Sequence, residues 1–283
     1  MMITLMRNLL TAMLILSTFS TSSLWAQQVP ADSSDTSQEA DLAKKVNNPV
    51  ANLVSVPIKL DWDTGIGTTD AKQATYVVQP VIPISLNEDW NVISRTVVPA
   101  FINLQSPVPG GGDSDGDFDG MGDILQSFFF SPKAPTSGGW IWGAGPAISV
   151  PSASNATFGS GKLSIGPTAV VLRQEHGWTY GVLANYLRSV SGDGSRADVS
   201  STYWQPFVVY TTHTYTAFGL NSESTYNFET RKWTEPYNLF VGQLMKIHGQ
   251  ILQLTLGYRY YVTNPTGGAN HGFRLQVTLL FPK

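Results

Sequence analysis

The chain has no cysteine, which removes together a disulfide scaffold, a thiolate metal centre and a lipid-bearing N-terminal cysteine. Charge is scarce too: Asp, Glu, Lys and Arg make up 13% of 283 residues, about half the usual quarter. The net charge is only -3, so the basic field that nucleic-acid binding needs is missing. No nucleotide-binding motif is visible, and no ATP-driven step is expected. Beyond Ala26 no apolar run approaches the roughly 20 residues of a membrane-spanning helix, which excludes a helical membrane protein. Another architecture has to account for 11% aromatic residues and 26 glycines.

What is present begins with an export signal. Residues 1–26, "MMITLMRNLLTAMLILSTFSTSSLWA", carry Arg7, an apolar stretch from Leu9 to Leu16 that continues to Phe19, and small residues up to Ala26, the order of a secretory signal peptide. The apolar part is short for an anchor helix. Cleavage after Ala26 is expected, although Leu24 is large for the position three before the cut. Residues 27–52 are polar and rich in helix breakers; they read as a flexible periplasmic N-terminal arm, with at most one helical turn over Asp41 to Val46.

From about Leu53 the hydrophobic period is two. Val54, Val56, Ile58, Leu60 and Trp62 alternate with Ser55, Pro57, Lys59, Asp61 and Asp63. Leu252, Leu254, Leu256, Tyr258, Tyr260 and Val262 alternate with Gln253, Thr255, Gly257, Arg259 and Tyr261. The closing stretch "GFRLQVTLLFPK" does the same: Phe273, Leu275, Val277, Leu279 and Phe281 on one side, Arg274, Gln276, Thr278 and Leu280 on the other. Such runs of about 10 residues suit a tilted strand crossing a bilayer. Further strands are expected near 73–86, 90–103, 122–131, 140–150, 162–173, 178–189, 199–211, 214–228 and 234–245. The fold class is therefore all-β: an antiparallel transmembrane β-barrel of about 12 strands in meander order, occupying 53–283.

Loop lengths support the barrel over a soluble sandwich. Links at 87–89, 132–139, 174–177, 212–213 and 246–249 are short, and the intervening ones are mostly longer, the asymmetry of short periplasmic turns and long external loops. Trp62, Trp90, Trp140, Trp142, Trp178 and Trp233 fall near proposed turns, where amphipathic rings sit at headgroup level; Trp204 lies deeper. Eight prolines inside the proposed strands (57, 80, 83, 99, 146, 167, 206, 236) each delete a ladder hydrogen bond, and bulges are expected there. Alternation is not clean in 90–103, 122–131 and 234–245, leaving open which way Phe128, Phe129 and Phe240 point.

Several segments, "QPVIPISLNEDWNVISRTVVP" (79–99), "GMGDILQSFFFSPK" (120–133), "GGWIWGAGP" (138–146), "GPTAVVL" (166–172), "WTYGVLAN" (178–185), "QPFVVYTT" (205–212) and the closing stretch, resemble a family of Gram-negative outer-membrane barrels. Its members are labelled as transporters or associated by name with phenol meta-pathway degradation. The resemblance spans about Asn48 to Lys283 and implies an outer-membrane barrel, with localisation in the cell outer membrane and no catalytic residues. In such barrels the last strand ends on an aromatic residue read by the outer-membrane assembly machinery; Phe281 matches, although Pro282 and Lys283 follow it.

The inward polar set is expected to line a lumen: Lys59, Asp61, Arg95, Glu223, Arg259 and Arg274, with Asn185, Asn221, Gln253, Thr255, Gln276 and Thr278. Opposed charges across a narrow pore select small solutes by charge and size; the same charges, paired, would instead plug the interior. The loop "GGGDSDGDFDGMGD" offers Asp115, Asp117 and Asp119 followed by Gly120, the start of a Ca2+ loop, but Gln126 stands where a bidentate Glu is expected. Expected partners are the lipid bilayer, lipopolysaccharide and a small-molecule solute. A hydrolase is the alternative from another class, with His271 as base and Ser222 or Ser224 as nucleophile. A structural or adhesive barrel with a plugged lumen is the third.

Overall fold

Strands that alternate in polarity can stay in lipid only if every backbone donor finds a neighbouring strand, and the sheet here satisfies that by closing on itself. The computed structural model describes residues 33–68, 70–105, 118–265 and 267–282. Its one antiparallel sheet has β1 (Val54–Ile66), β2 (Ala71–Val78), β3 (Val81–Ser85), β4 (Trp90–Gln105), β5 (Phe118–Gly120), β6 (Ile124–Pro132), β7 (Trp140–Val150), β8 (Lys162–Glu175), β9 (Trp178–Gly192), β10 (Ser200–Thr211), β11 (Thr216–Ser222), β12 (Ser224–Asn227), β13 (Lys232–Ile247), β14 (Gln250–Thr263) and β15 (His271–Phe281). Sequence neighbours are sheet neighbours, and β15 returns to β1 from Phe281 opposite Val54 to His271 opposite Thr64. Three staves are interrupted, each made of two short strands: β2 with β3, β5 with β6, and β11 with β12. The result is a closed barrel of twelve staves in meander order, as the periodicity and the even count predict.

The two faces are inverted relative to a soluble protein. Leu239, Val262 and Phe273 are 64%, 61% and 60% exposed, whereas Asn238, Arg259 and Arg274 are 1%, 7% and 9% exposed. Apolar out and polar in is the membrane-barrel arrangement. Rings gather at both rims. At the short-turn end Trp90 packs on Trp142 (5.8 Å), Trp140 on Tyr180 (6.2 Å) and Trp178 on Tyr210 (4.9 Å); at the long-loop end Tyr258 packs on Phe273 (5.5 Å) and Tyr226 on Trp233 (5.0 Å).

Two of the tight turns are built from His-Gly. His176-Gly177 (φ 49° and 82°) and His248-Gly249 (φ 49° and 87°) join β8 to β9 and β13 to β14, and positive φ at both central residues is the type I′ hairpin turn. Half of the chain's histidines are thus explained by turn geometry.

The prolines divide. Pro80 sits in the break between β2 and β3, and Pro99 and Pro236 lie at register shifts, as expected for bulges. Pro57 and Pro83 lie in regular register. Pro146 and Pro167 do something else: they face each other across β7 and β8, and each follows a glycine. A Cβ on Gly166 would lie 1.9 Å from the Tyr186 carbonyl oxygen of β9, and one on Gly145 2.1 Å from the Phe128 carbonyl oxygen of β6, so each glycine of this Gly-Pro seam lies where the next strand outward approaches too closely for a side chain. Gly166→Ala is expected to destabilise the barrel by about 1–3 kcal/mol through overpacking. Urea unfolding in detergent measures this, with Gly194→Ala, where a Cβ meets nothing within 4 Å, as the unaffected control.

The uneven strands also resolve. In β4, Asn91, Ile93 and Arg95 point inward and are buried. Phe129 is wholly buried in the lumen beside Ile93, Leu172 and Leu183; Phe128 falls on the opposite, outer side of β6 by alternation. Phe240 lies over Gly219 on the paired strand and lines the lumen.

Residues from Ser37 onward form one compact unit. The segment 27–52 departs from a flexible arm in its described part, residues 33–52: helix α1 (Ser33–Lys45) is 13 residues long, not a single turn. Leu42 and Ala43 are 2% exposed and pack with Ala51, Leu53, Leu244, Ile251 and Leu280, and the Lys44 carbonyl accepts from Gln174 Nε2 at 2.8 Å. The physical reason lies in the barrel: Leu244, Ile251 and Leu280 are apolar residues on the inner face at the short-turn mouth, and only a docked segment covers them.

Candidate functional site

The lumen holds a charge cluster toward the long-loop half. Asp61 on β1, Arg274 on β15 and Arg259 on β14 come from three adjacent staves, and strand alternation turns all three inward. Arg274 donates from Nε to Asp61 Oδ1 (2.6 Å) and from Nη2 to Asp61 Oδ2 (2.8 Å). It also reaches Glu223, Nη1 to Oε1 at 2.8 Å and Nη2 to Oε2 at 2.9 Å. Glu223 lies in the break between β11 and β12, where its N–H donates to the Pro236 carbonyl at 3.1 Å. Three inter-strand steps separate it from β15, so the Arg274–Glu223 pair crosses the lumen instead of following the wall.

Arg259 completes the network: Nη1 lies 2.5 Å from Asp61 Oδ2 and Nη2 3.8 Å from Glu223 Oε2, while Nη2 donates to Tyr261 Oη at 3.1 Å. Its Nε and Asp63 Oδ1 are 3.7 Å apart, and neither has a hydrogen-bond partner among the described residues. Asp63 sits opposite Gly272, where a Cβ would lie 2.3 Å from its Oδ1; a glycine is what lets this carboxylate into the cluster. Asp63 shares the inner face of β1 with Asp61 two residues away, and that spacing was the signal that could have added it to the predicted pore residues.

Lys59 and Arg95 stand apart from the network. Lys59 Nζ donates to Gln79 Oε1 at 2.9 Å. Arg95, 8% exposed, makes no hydrogen bond or close ion pair among the described residues. Both line a cavity of about 190 Å³ that also touches Arg274 and Glu223 and is closed on the mouth side by residues 45–51. Arg259 and Arg274 are thus matched by carboxylates, whereas Arg95 has no carboxylate within ion-pair distance among the described residues.

The other predicted residues do not converge on a reaction centre. Ser222 Oγ and Ser224 Oγ are 2.5 Å apart, and Ser222 Oγ donates to the Pro236 carbonyl at 3.1 Å. His271 begins β15, three inter-strand steps of about 4.8 Å from them. Asp115 and Asp117 lie outside the described residues. The Asp119 carbonyl accepts from Asn155 Nδ2 at 3.2 Å, and Gln126, the twelfth position, is on β6 with its amide bonded to Thr96 and Ser94. Asp123 instead ties the loops together, accepting from Ser160 N at 2.7 Å, Ser160 Oγ at 2.8 Å and Ala153 N at 3.1 Å. Phe281 ends β15 opposite Val54, facing outward and 42% exposed.

A twelve-stave meander with an apolar belt, aromatic rims and inward polar side chains is the architecture of transmembrane β-barrels of the outer-membrane type. No protein-family model and no curated protein matches the chain. Among solved structures, it is similar to an outer membrane channel from Pseudomonas putida F1, at 16% identity and a TM-score of 0.59, with 81% of this chain and 94% of that one covered. The NanC porin aligns at 10% identity and a TM-score of 0.49, covering 81% of this chain and all of that one. The β domain of the Bordetella autotransporter BrkA aligns at 10% identity and a TM-score of 0.46, covering 82% and 100%.

Proposed function

We propose that the chain is a passive channel of the Gram-negative outer membrane for small solutes. In this reading residues 1–26 direct export, Phe281 serves insertion by the assembly machinery, the belt meets lipid, and the long loops meet lipopolysaccharide. The observation that carries it is a lumen into which seven charged side chains of the wall turn, four of them, Lys59, Arg95, Glu223 and Arg274, lining a cavity. Burying charges is costly, and a barrel needed only for its outer surface is served as well by an apolar interior. The resemblance to barrels labelled for phenol degradation favours solutes with an apolar or aromatic part. A structural barrel with a plugged lumen is the second reading, favoured by the Arg274–Glu223 crossing and the docked helix. Ca2+ at Asp115, Asp117 and Asp119 has no further support.

Reconstitution into planar bilayers tests the choice. The full-length mature chain is expected to give small, discrete conductance steps. A barrel with native heat-modifiable mobility that gives no steps, and no solute flux in liposome swelling, supports the structural reading instead.

A further inference from the structure

We infer that the lumen cavity is a binding site for a small monoanion with an apolar body, the carboxylate held by Arg95 and Lys59. The inference rests on reading the lumen as a solute path and names the class of solute. Four cationic side chains, Lys59, Arg95, Arg259 and Arg274, face three carboxylates, Asp61, Asp63 and Glu223, so the cluster carries a positive surplus. The surplus is localised. Asp61 is taken by both Arg259 and Arg274, and both oxygens of Glu223 are taken by Arg274.

Arg95 is more than nine-tenths buried as a residue and lines the cavity, and its guanidinium makes no hydrogen bond or close ion pair among the described residues. A buried, unpaired guanidinium is costly unless something occupies it, and its planar fork fits a carboxylate with two parallel hydrogen bonds. Lys59 lies nearby on β1. Its partner Gln79 immediately precedes Pro80 in the break between β2 and β3, and Val81 beyond that break stands directly opposite Arg95. Gln79 is a neutral partner, and among the described residues no carboxylate lies within ion-pair distance of the Lys59 ammonium.

The rest of the cavity sets the body of the ligand. Val81 opposite Arg95, with Leu183, Phe207 and Val209 on β9 and β10, gives the cavity an apolar patch among polar neighbours such as Gln205, Asn221 and Gln253, and that patch suits an apolar group and not a hydrated inorganic ion. At about 190 Å³ the cavity exceeds the roughly 150 Å³ that holds benzene in an engineered protein core, which leaves room for a ring and one carboxylate. A dianion is disfavoured because Glu223 faces the same space.

Isothermal titration of the detergent-solubilised full chain with benzoate tests the site, with benzamide as the uncharged isostere and acetate as the charge without the body. Benzoate is expected to bind about tenfold or more tightly than either, and Arg95→Gln to weaken it about tenfold or more, with Arg95→Lys intermediate because the fork is lost and the charge kept. Lys59→Gln is the second variant, expected to weaken benzoate while leaving the weak benzamide signal unchanged; it carries the test should Arg95→Gln fail to fold by heat-modifiable mobility. Equal affinity for benzoate and benzamide, no benzoate binding, or unchanged binding in both variants overturns the inference. Conductance without benzoate binding removes the inference and leaves the channel; benzoate binding in a barrel that never conducts removes the channel and leaves the site.

Discussion

Removing residues 27–52 is expected to raise single-channel conductance severalfold over the full-length mature chain. Residues 45–51 close one side of the lumen cavity, and Val50 packs on Ile93, Phe129, Leu172 and Leu183 within the lumen. Leu42 is the largest apolar side chain by which the segment is held: burial of a leucine of this size is worth about 2 kcal/mol, and the smaller Ala43, Val46, Val50 and Ala51 supply the rest. The point variant Leu42→Asp is therefore expected to act in the same direction, because a carboxylate cannot remain in the pocket made by Leu244, Ile251 and Leu280 without a partner. Planar-bilayer recordings of the three proteins decide it. Equal conductance in all three would mean that the helix does not control the path and that the Arg274–Glu223 crossing sets the limit.

Arg274→Met is expected to destabilise the barrel by about 3–5 kcal/mol, the cost of leaving buried carboxylates without their cation. Arg274 serves Asp61 through two hydrogen bonds and Glu223 through two more, so its loss strands the Glu223 carboxylate and leaves Asp61 to Arg259 alone. Adding Glu223→Gln in that background is expected to restore part of the loss, since one stranded charge disappears. Urea unfolding followed by tryptophan fluorescence measures both. A loss of about 0.5 kcal/mol or less, within the range of surface ion pairs, would show that lumen water already screens the cluster.

How far the sequence reaches is clearest in β14 and β15. Their strict alternation predicts the outward Phe273, Leu256 and Tyr258 and the inward Arg259, Arg274 and Thr278 without any tertiary information, because a strand's side chains must alternate and only one face meets lipid. The exceptions carried information of their own. Leu280 and Ile251 break the polar face at the mouth, and they do so because helix α1 covers them; a polar-looking segment with Leu42 and Ala43 on one side gives little warning of that. Arg95 was in the predicted set, but its facing could not be read, since β4 contains a bulge beside Pro99 that shifts the pattern. Pairing of Asp61 with two arginines depends on register between β1, β15 and β14, which no single strand encodes. The Gly-Pro seam was visible as two dipeptides 21 residues apart (positions 145 and 166), yet their juxtaposition is a property of the β7–β8 register alone.

The absence of cysteine gives the most direct test of the central claim, that apolar faces meet lipid and polar faces meet a water-filled lumen. Single cysteines placed in turn from residue 273 to 279 of β15, in the chain lacking residues 27–52 and reconstituted in liposomes, should alternate in reactivity. Positions 274, 276 and 278 are expected to react with a small charged methanethiosulfonate from water, and positions 273, 275, 277 and 279 only with a lipid-soluble maleimide. Uniform protection of the second set from both reagents, or charged-reagent labelling of it, would place those side chains in a protein core or in water and contradict the barrel as described.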